Sequence, residues 1–354
     1  MSNSTTSDIP AQLQNIIPLS STNDVFATQI ITNYLIYDPI FSAASPGSIL
    51  RLARTCKAAH AAMRDYFSRA FDINNHLSRF FDDPLAFRSL QAQTNTLISG
   101  SFALQFFDRS VYQGSDLNLY VPSLHHKEIG RWLVAHGYEY VPGHDEDVDD
   151  DNEDPDSEED SDENRLHYLD WVRERLIQGF SKEFSFQKRP SSKTDETFHV
   201  RLTVVTSCPM EVILGFHSTA VLNVISWDRA YSLYPRATFE HRKSLLLLEG
   251  YTHLTDIIEK YSNRNFEFVR TLDHPSLTSD PALASTPRWI GDGYSWILDL
   301  PTNGITLPPP LSKQLTRDPC YLTTWRCFEV VLPWRPRSMT PVIVGLCYVI
   351  PPNS

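Results

Sequence analysis

A chain of 354 residues, 41% hydrophobic and 21% charged, has the apolar material for a sizeable core and the length for two or three domains. No stretch approaches the roughly 18 consecutive apolar residues that a membrane helix needs, and residues 1–10 lack the basic start and apolar run of a secretory signal, so a soluble cytoplasmic or nuclear protein with no membrane partner is expected. The formal charge of −12 is concentrated: fourteen acidic residues and no Lys or Arg lie between Asp145 and Glu163, and the remainder holds 31 basic against 29 acidic residues, a balance that neither implies nor excludes nucleic-acid binding.

Residues 1–22 are rich in Ser and Thr and are expected to be disordered. A helical block follows over residues 23–90. Val25, Phe26, Ile30, Ile31, Tyr34 and Leu35 recur at three- and four-residue steps, which predicts a helix that Pro39 ends. Ser45-Pro46-Gly47-Ser48 reads as a turn with capping potential. A second helix is predicted over 48–65, with Ile49, Leu52, Ala53, Cys56, Ala59, His60 and Met63 on its apolar face, and residues 66–81 continue helically.

Residues 97–100 form a short apolar strand and 102–107 open a helix. Residues 116–121 alternate, with Leu117, Leu119 and Val121 on one face and Asp116, Asn118 and Tyr120 on the other, as in a strand with one buried face. A helix is expected over 125–136. The acidic stretch, residues 143–164, repels itself and has nothing to bury, so it reads as a disordered insertion, with a helix resuming over 166–177. Residues 184–187 and 198–205 read as a hairpin joined by a polar turn at 190–196. Residues 210–216 read as a strand, 220–225 as strand or helix, and 239–248 as a closing helix. From Tyr251 the composition changes: Trp289, Trp296, Trp325 and Trp334, many of the 24 prolines, and short β-prone runs at 328–333 and 341–350 predict a β-containing, loop-rich segment over 251–354. The five cysteines make no CxxC pair and read as reduced, buried thiols.

Chemistry concentrates in Ile98-Ser99-Gly100-Ser101, the helix after it, and Ser115-Asp116-Leu117-Asn118-Leu119. A glycine lets the backbone approach a phosphate, and a Ser at a helix start adds a hydroxyl to free backbone N–H groups, so Gly100 and Ser101 are candidate phosphate ligands. Acids at i and i+2 on a strand share one face and can hold Mg²⁺ between nucleotide phosphates and an attacking hydroxyl. This pattern resembles the signature of polymerase-beta-like nucleotidyltransferases, and the resemblance implies an α+β fold: a mixed sheet with flanking helices over residues 91–250, preceded by the helical segment.

The chain departs from that signature at its metal ligands. Asp116 matches the first acid and is the candidate metal ligand; Asn118 stands where the second acid belongs, and an amide oxygen binds a cation more weakly than a carboxylate. The later strand that should supply a third acid, 198–205, offers Arg201 and Thr203, leaving Glu211 as the fallback. The expectation is a degenerate site (Asp116, Asn118, Glu211) in a module that binds a nucleotide or a protein partner without turnover. The alternatives are a live Mg²⁺-dependent enzyme with altered ligands and an adaptor protein. His217, Ser218 and Asn223 lie in a segment that loosely resembles the nucleotide-lining region of template-independent nucleotidyltransferases and could contact a ligand; the alternative, that they cap and hydrogen-bond a turn, is the favoured one.

Residues 49–60 resemble the later half of an F-box, a helical module that docks to a Skp-type adaptor in cullin ubiquitin ligases. On that reading Ile31, Leu35, Leu50, Leu52 and Cys56 contact the partner. The layout over roughly residues 25–250 resembles an uncharacterised family of mushroom-forming fungi that joins an F-box-like start to a nucleotidyltransferase-like body, often with Ser-Asp-Leu-Asp-Leu-Tyr where this chain has Asn118. That resemblance implies a fold and no assigned activity.

Overall fold

The structure, a computed structural model, describes residues 25–142, 180–189, 197–247, 254–270, 287–307, 319–320, 323–330 and 342–349. The expectations for residues 1–22, the acidic insertion, the helix over 166–177, the turn at 190–196 and Trp334 lie outside the described residues. The chain divides into two compact units, Met1–Ala70 and Phe71–Ser354. Among the described residues no helix is long and apolar enough to cross a membrane.

The smaller unit holds a π turn at Phe26–Ile30 and helices α1 (Tyr34–Ala43), α2 (Pro46–Ala53) and α3 (Lys57–Ala70). Asn33 begins α1 by accepting the Leu35 N–H at 3.0 Å, and α1 then runs through Pro39 rather than stopping there. Proline at that position forfeits a single backbone bond, and burial of Tyr37 and Phe41 on the same helix outweighs the loss. The predicted helix over 48–65 is likewise two helices. Ser45 caps α2 through the Ser48 N–H, with Pro46 in the first turn where its missing N–H costs nothing, and a turn at Arg54–Thr55 separates α2 from α3. Ile31, Tyr37, Phe41, Ile49, Ala59, Ala62 and Tyr66 form this unit's core. Arg69 of α3 reaches Asp38 of α1 at 2.6 Å and Asp65 at 2.8 Å.

The larger unit is mixed α+β, a large mixed sheet with flanking helices. In chain order it contains α4 (Ile73–Leu77), α5 (Pro84–Thr94), β1 (Leu97–Ser99), α6 (Ser101–Asp108), β2 (Leu117–Pro122), α7 (His126–Ala135), β3 (Glu139–Val141), β4 (Phe180–Lys188), β5 (Phe198–Val205), α8 (Pro209–Leu214), β6 (Asn223–Ile225), β7 (Arg229–Ser232), β8 (Lys243–Leu245), α9 (Leu254–Ser262), β9 (Glu267–Val269), β10 (Arg288–Trp289), β11 (Trp296–Asp299), β12 (Thr323–Val330) and β13 (Val342–Val349). Among the described residues the main sheet has the order β11-β7-β6-β1-β2-β5-β4-β3. Its neighbours are antiparallel except β2 and β5, which run parallel with Asn118 opposite Arg201. The antiparallel β10-β12-β13 sheet and the parallel β8–β9 pair complete the strands.

Two predicted elements change type. Residues 210–216 form helix α8 rather than a strand: Pro209 suits a first helical position, Glu211 complements the helix N-terminus, and Met210, Ile213 and Leu214 reach the core at helical spacing. The predicted closing helix over 239–248 is a π turn (Arg236–Glu240) followed by β8. Between them Arg242 adopts φ +53, held by its guanidinium donating to Asp108 at 2.6 Å and to the Arg264 carbonyl at 2.8 Å. Residues 220–225, read as strand or helix, are the end of a 3-10 turn (Thr219–Val221) leading into β6.

Strand pairing sorts the main sheet into two faces. Tyr120, Val205, Val224 and Tyr231 share one face and pack with Met210, Ile213 and Leu214 of α8, and with Cys320 and Trp325 from the C-terminal region. Asp116, Asn118 and Arg201 point to that same face by the two-residue period, but from the opposite end of the strands. The apolar cluster therefore covers one end of the face and leaves its other end to polar chemistry.

Candidate functional site

β1 ends at Ser99, and Gly100 turns the chain into α6 with φ +74 and ψ −145. Gly100, at the N-cap, brings no side chain to this helix start. Gly100 is required twice over: that backbone region is essentially glycine-only, and a Cβ here would lie 2.7 Å from Asn118 Nδ2. Asn118 packs directly against the turn, and its Oδ1 is buried without a hydrogen-bond partner among the described residues. The Ser101 hydroxyl is 2.8 Å from that of Ser115, which accepts from Gln105 Nε2 at 2.8 Å. The turn and the start of β2 are thus tied together by neutral hydrogen bonds.

Asp116, on the same face, is engaged with a cation of the protein itself. Arg201 Nε lies 3.0 Å from Asp116 Oδ2, and its Nη1 lies 3.8 Å from Glu183. Arg201 sits in register with Asn118, on the strand where a third acid was expected. Helix α9 and the turn after it bring Lys260, Tyr261 and Arg264 to this place. Arg264 Nη1 donates to Ser101 Oγ at 3.0 Å, and its guanidinium lies 3.9 Å from the Tyr112 ring centroid and 5.0 Å from that of Tyr261. Partial desolvation of the Lys260 ammonium lowers its pKa from the ordinary lysine value, Arg264 lowers it further, Asp116 pulls the other way, and Arg201 adds a smaller push down. Burial pushes the Tyr261 hydroxyl up to about 12, with Arg264 opposing.

The expected nucleotide-lining residues separate. His217 belongs to the site: its ring lies 5.8 Å from that of Tyr261, and burial, followed by the charge of Lys260, pushes its pKa down to about 4, so it is neutral at pH 7. Ser218 and Asn223 turn into the core. Both are fully buried; Asn223 donates to the Ala220 carbonyl at 2.8 Å, and its own carbonyl accepts from Ser99 at 2.6 Å, so it builds the β1–β6 junction.

Glu211 does not supply the missing acid. Its helix follows the Val205 end of β5, which pairs with Pro122 at the far end of β2 from Asp116. At about 3.3 Å per residue the length of β2 separates the two ends by on the order of 16 Å. Among the described residues no group of three His, Cys, Asp or Glu side chains is placed to hold a metal ion. One carboxylate, already paired with a guanidinium and faced by further cations, is a poor ligand set for Mg²⁺, which seeks several oxygen ligands in near-octahedral order. The residues present do not fit a two-metal centre.

The five candidate partner contacts of the smaller unit also separate. Ile31 is buried in that unit's core, and Leu52 and Cys56 pack against it. Leu50 is half-buried, whereas Leu35 is 77% exposed. The cause is the break before Asn33, which restarts the helix and turns Leu35 outward while Ile31 faces in.

Lys260, Tyr261 and Arg264 were not singled out by sequence reasoning, although Leu254, Ile257, Ile258 and Tyr261 carry a helical i, i+3, i+4, i+7 pattern that would have located their helix. A comparison with protein-family models finds none that matches the chain, and a comparison with curated proteins finds no relative.

Proposed function

We propose that the larger unit is a nucleotidyltransferase-like domain that has lost two-metal catalysis and binds a nucleotide without turning it over. What supports the fold is the sequence β1, Gly100-Ser101, α6, β2, with β1 antiparallel to β2 and β5 parallel to it, and Asp116 and Asn118 on the face beside the glycine turn. The observation that carries the loss of turnover is the Arg201–Asp116 pair. A guanidinium occupies the carboxylate that would hold a divalent cation, and it arrives from the strand position where another acid belongs. The live-enzyme alternative with Asp116, Asn118, Glu211 and Mg²⁺ requires two carboxylates that lie at opposite ends of β2. In an assay of transfer from labelled nucleoside triphosphates with Mg²⁺ or Mn²⁺, the full chain is expected to show no transfer above background. Metal-dependent transfer that Asp116→Ala abolishes would refute the proposal.

A second reading concerns the smaller unit. Leu35, Ile36 and Ile40 of α1 are exposed apolar side chains on one side of the helix, as in a face that awaits a partner. An adaptor role, with this face laid on a Skp-type protein, accounts for them. Co-purification with such an adaptor is expected, and Leu35→Asp should reduce it about tenfold or more, as placing a charge in an apolar contact does. Retention undiminished by Leu35→Asp, or no retention of the intact chain, counts against it.

A further inference from the structure

A domain that resembles a metal-dependent enzyme has, at the place of the metals, an excess of its own positive charge. Arg201, Lys260 and Arg264 converge there from β5, α9 and the turn after α9. The acids opposing them are Asp116 at 3.0 Å from Arg201 and Glu183 at 3.8 Å. Lys260 and Arg264 have no carboxylate within ion-pair distance among the described residues. The start of α6 adds its positive end and its first backbone N–H groups. Arg264 is already oriented: stacking on Tyr112 and donation to Ser101 fix its plane, so little conformational freedom is lost when it takes an oxyanion.

We propose that this end of the sheet is a metal-independent polyphosphate site, in which Arg201, Lys260 and Arg264 with the α6 N-terminus supply the charge that divalent cations supply in a two-metal centre. Asp116 is the internal counter-ion: it holds Arg201 in the unliganded protein, and an incoming phosphate displaces it. The proposal rests on the nucleotide-binding reading for its larger ligand, but its chemistry is that of the phosphate chain. Its signature is an inverted response at Asp116. At a metal site, removing this carboxylate abolishes binding. Here it removes a competitor for Arg201 and strengthens binding.

The test is calorimetry of the full chain with inorganic tripolyphosphate, ATP and adenosine, each in EDTA and in Mg²⁺. Tripolyphosphate and ATP are expected to bind in EDTA, adenosine is not, and excess Mg²⁺ should weaken binding by sequestering the anion. Lys260→Gln, on an exposed helix position, should weaken both ligands about tenfold, as loss of a charge-assisted contact does. Asp116→Asn should tighten both about two- to fivefold, the size of releasing an exposed ion pair. Thermal melting shows that each variant is folded. Binding that requires Mg²⁺, or that Asp116→Asn abolishes, or that Lys260→Gln leaves unchanged, overturns the proposal while nucleotide binding stands. Adenosine binding without tripolyphosphate binding does the same. Tripolyphosphate binding without ATP binding upholds the anion site and retires the nucleotide. If none of the three binds in either buffer, both readings fall.

Discussion

Arg88→Ala is expected to destabilise the larger unit by about 3–5 kcal/mol, the range for breaking a buried, hydrogen-bonded charge, and to lower Tm by roughly 10 °C. Arg88 lies on α5 and is fully buried. Its guanidinium donates to Asn74 Oδ1 at 2.9 Å, to the Trp227 carbonyl at 2.6 Å and to the Pro301 carbonyl at 2.7 Å. One side chain thereby ties α4, the β6–β7 turn and the segment that leaves edge strand β11. Burial pulls the guanidinium pKa down to about 10, with Asp72 and Asp228 opposing, so the group stays charged at neutral pH. Truncation leaves a cavity and buried carbonyls with one donor fewer, both costly. Arg88→Lys keeps the charge but cannot direct three donors from one plane, and should lose about half as much. Urea denaturation gives both values; a loss below ~1 kcal/mol for Arg88→Ala would mean that solvent replaces these contacts.

Gly100→Ala should cost about 2–4 kcal/mol, from two separable sources, backbone strain of ~1–3 kcal/mol and a steric overlap of ~1 kcal/mol or more. The backbone at φ +74 and ψ −145 is strained for any residue with a Cβ, and the added methyl would sit 2.7 Å from Asn118 Nδ2. A double-mutant cycle with Asn118→Ala tells them apart. Trimming Asn118 relieves the steric term and leaves the dihedral term, so Gly100→Ala should be milder in the Asn118→Ala background by about 1 kcal/mol and still destabilising. Full rescue by Asn118→Ala would show that the backbone angle carries no cost. Because Ser101 and the α6 N-terminus are set by this turn, Gly100→Ala should also weaken tripolyphosphate binding, whereas Arg88→Ala, on a different helix, should leave it intact below the melting transition.

How much of this was legible beforehand depended on how local each signal was. Leu117, Leu119 and Val121 alternate, so β2 and this buried face could be read from six residues, and all three are buried; Tyr120, on the face expected to be exposed, is buried as well because α8 packs there. The pairing of 184–187 with 198–205 was readable because each run alternates and a short polar stretch of sequence lies between them. The segment 210–216 was misread because a short apolar run suits a buried strand and a buried helix equally. The residues 31–43 misled in the other direction: Pro39 is a strong local breaker, yet the packing of Tyr37 and Phe41 carries the helix through it. Arg88 carries no local mark of burial, and only the carbonyls that surround it make it a core residue.

Residue identity by itself determined that this chain has a Gly-Ser pair ahead of a strand with one acid where the signature it resembles has two, because that deficit relative to the signature is a property of single side chains. Tertiary structure alone decided what fills the deficit. The parallel register of β2 and β5, set by strands about eighty residues apart, places Arg201 against Asp116. The return of α9 from beyond Tyr251 adds Lys260 and Arg264. Electrostatic character is a sum over neighbours in space, and here those neighbours come from parts of the chain that carry no local mark of belonging together.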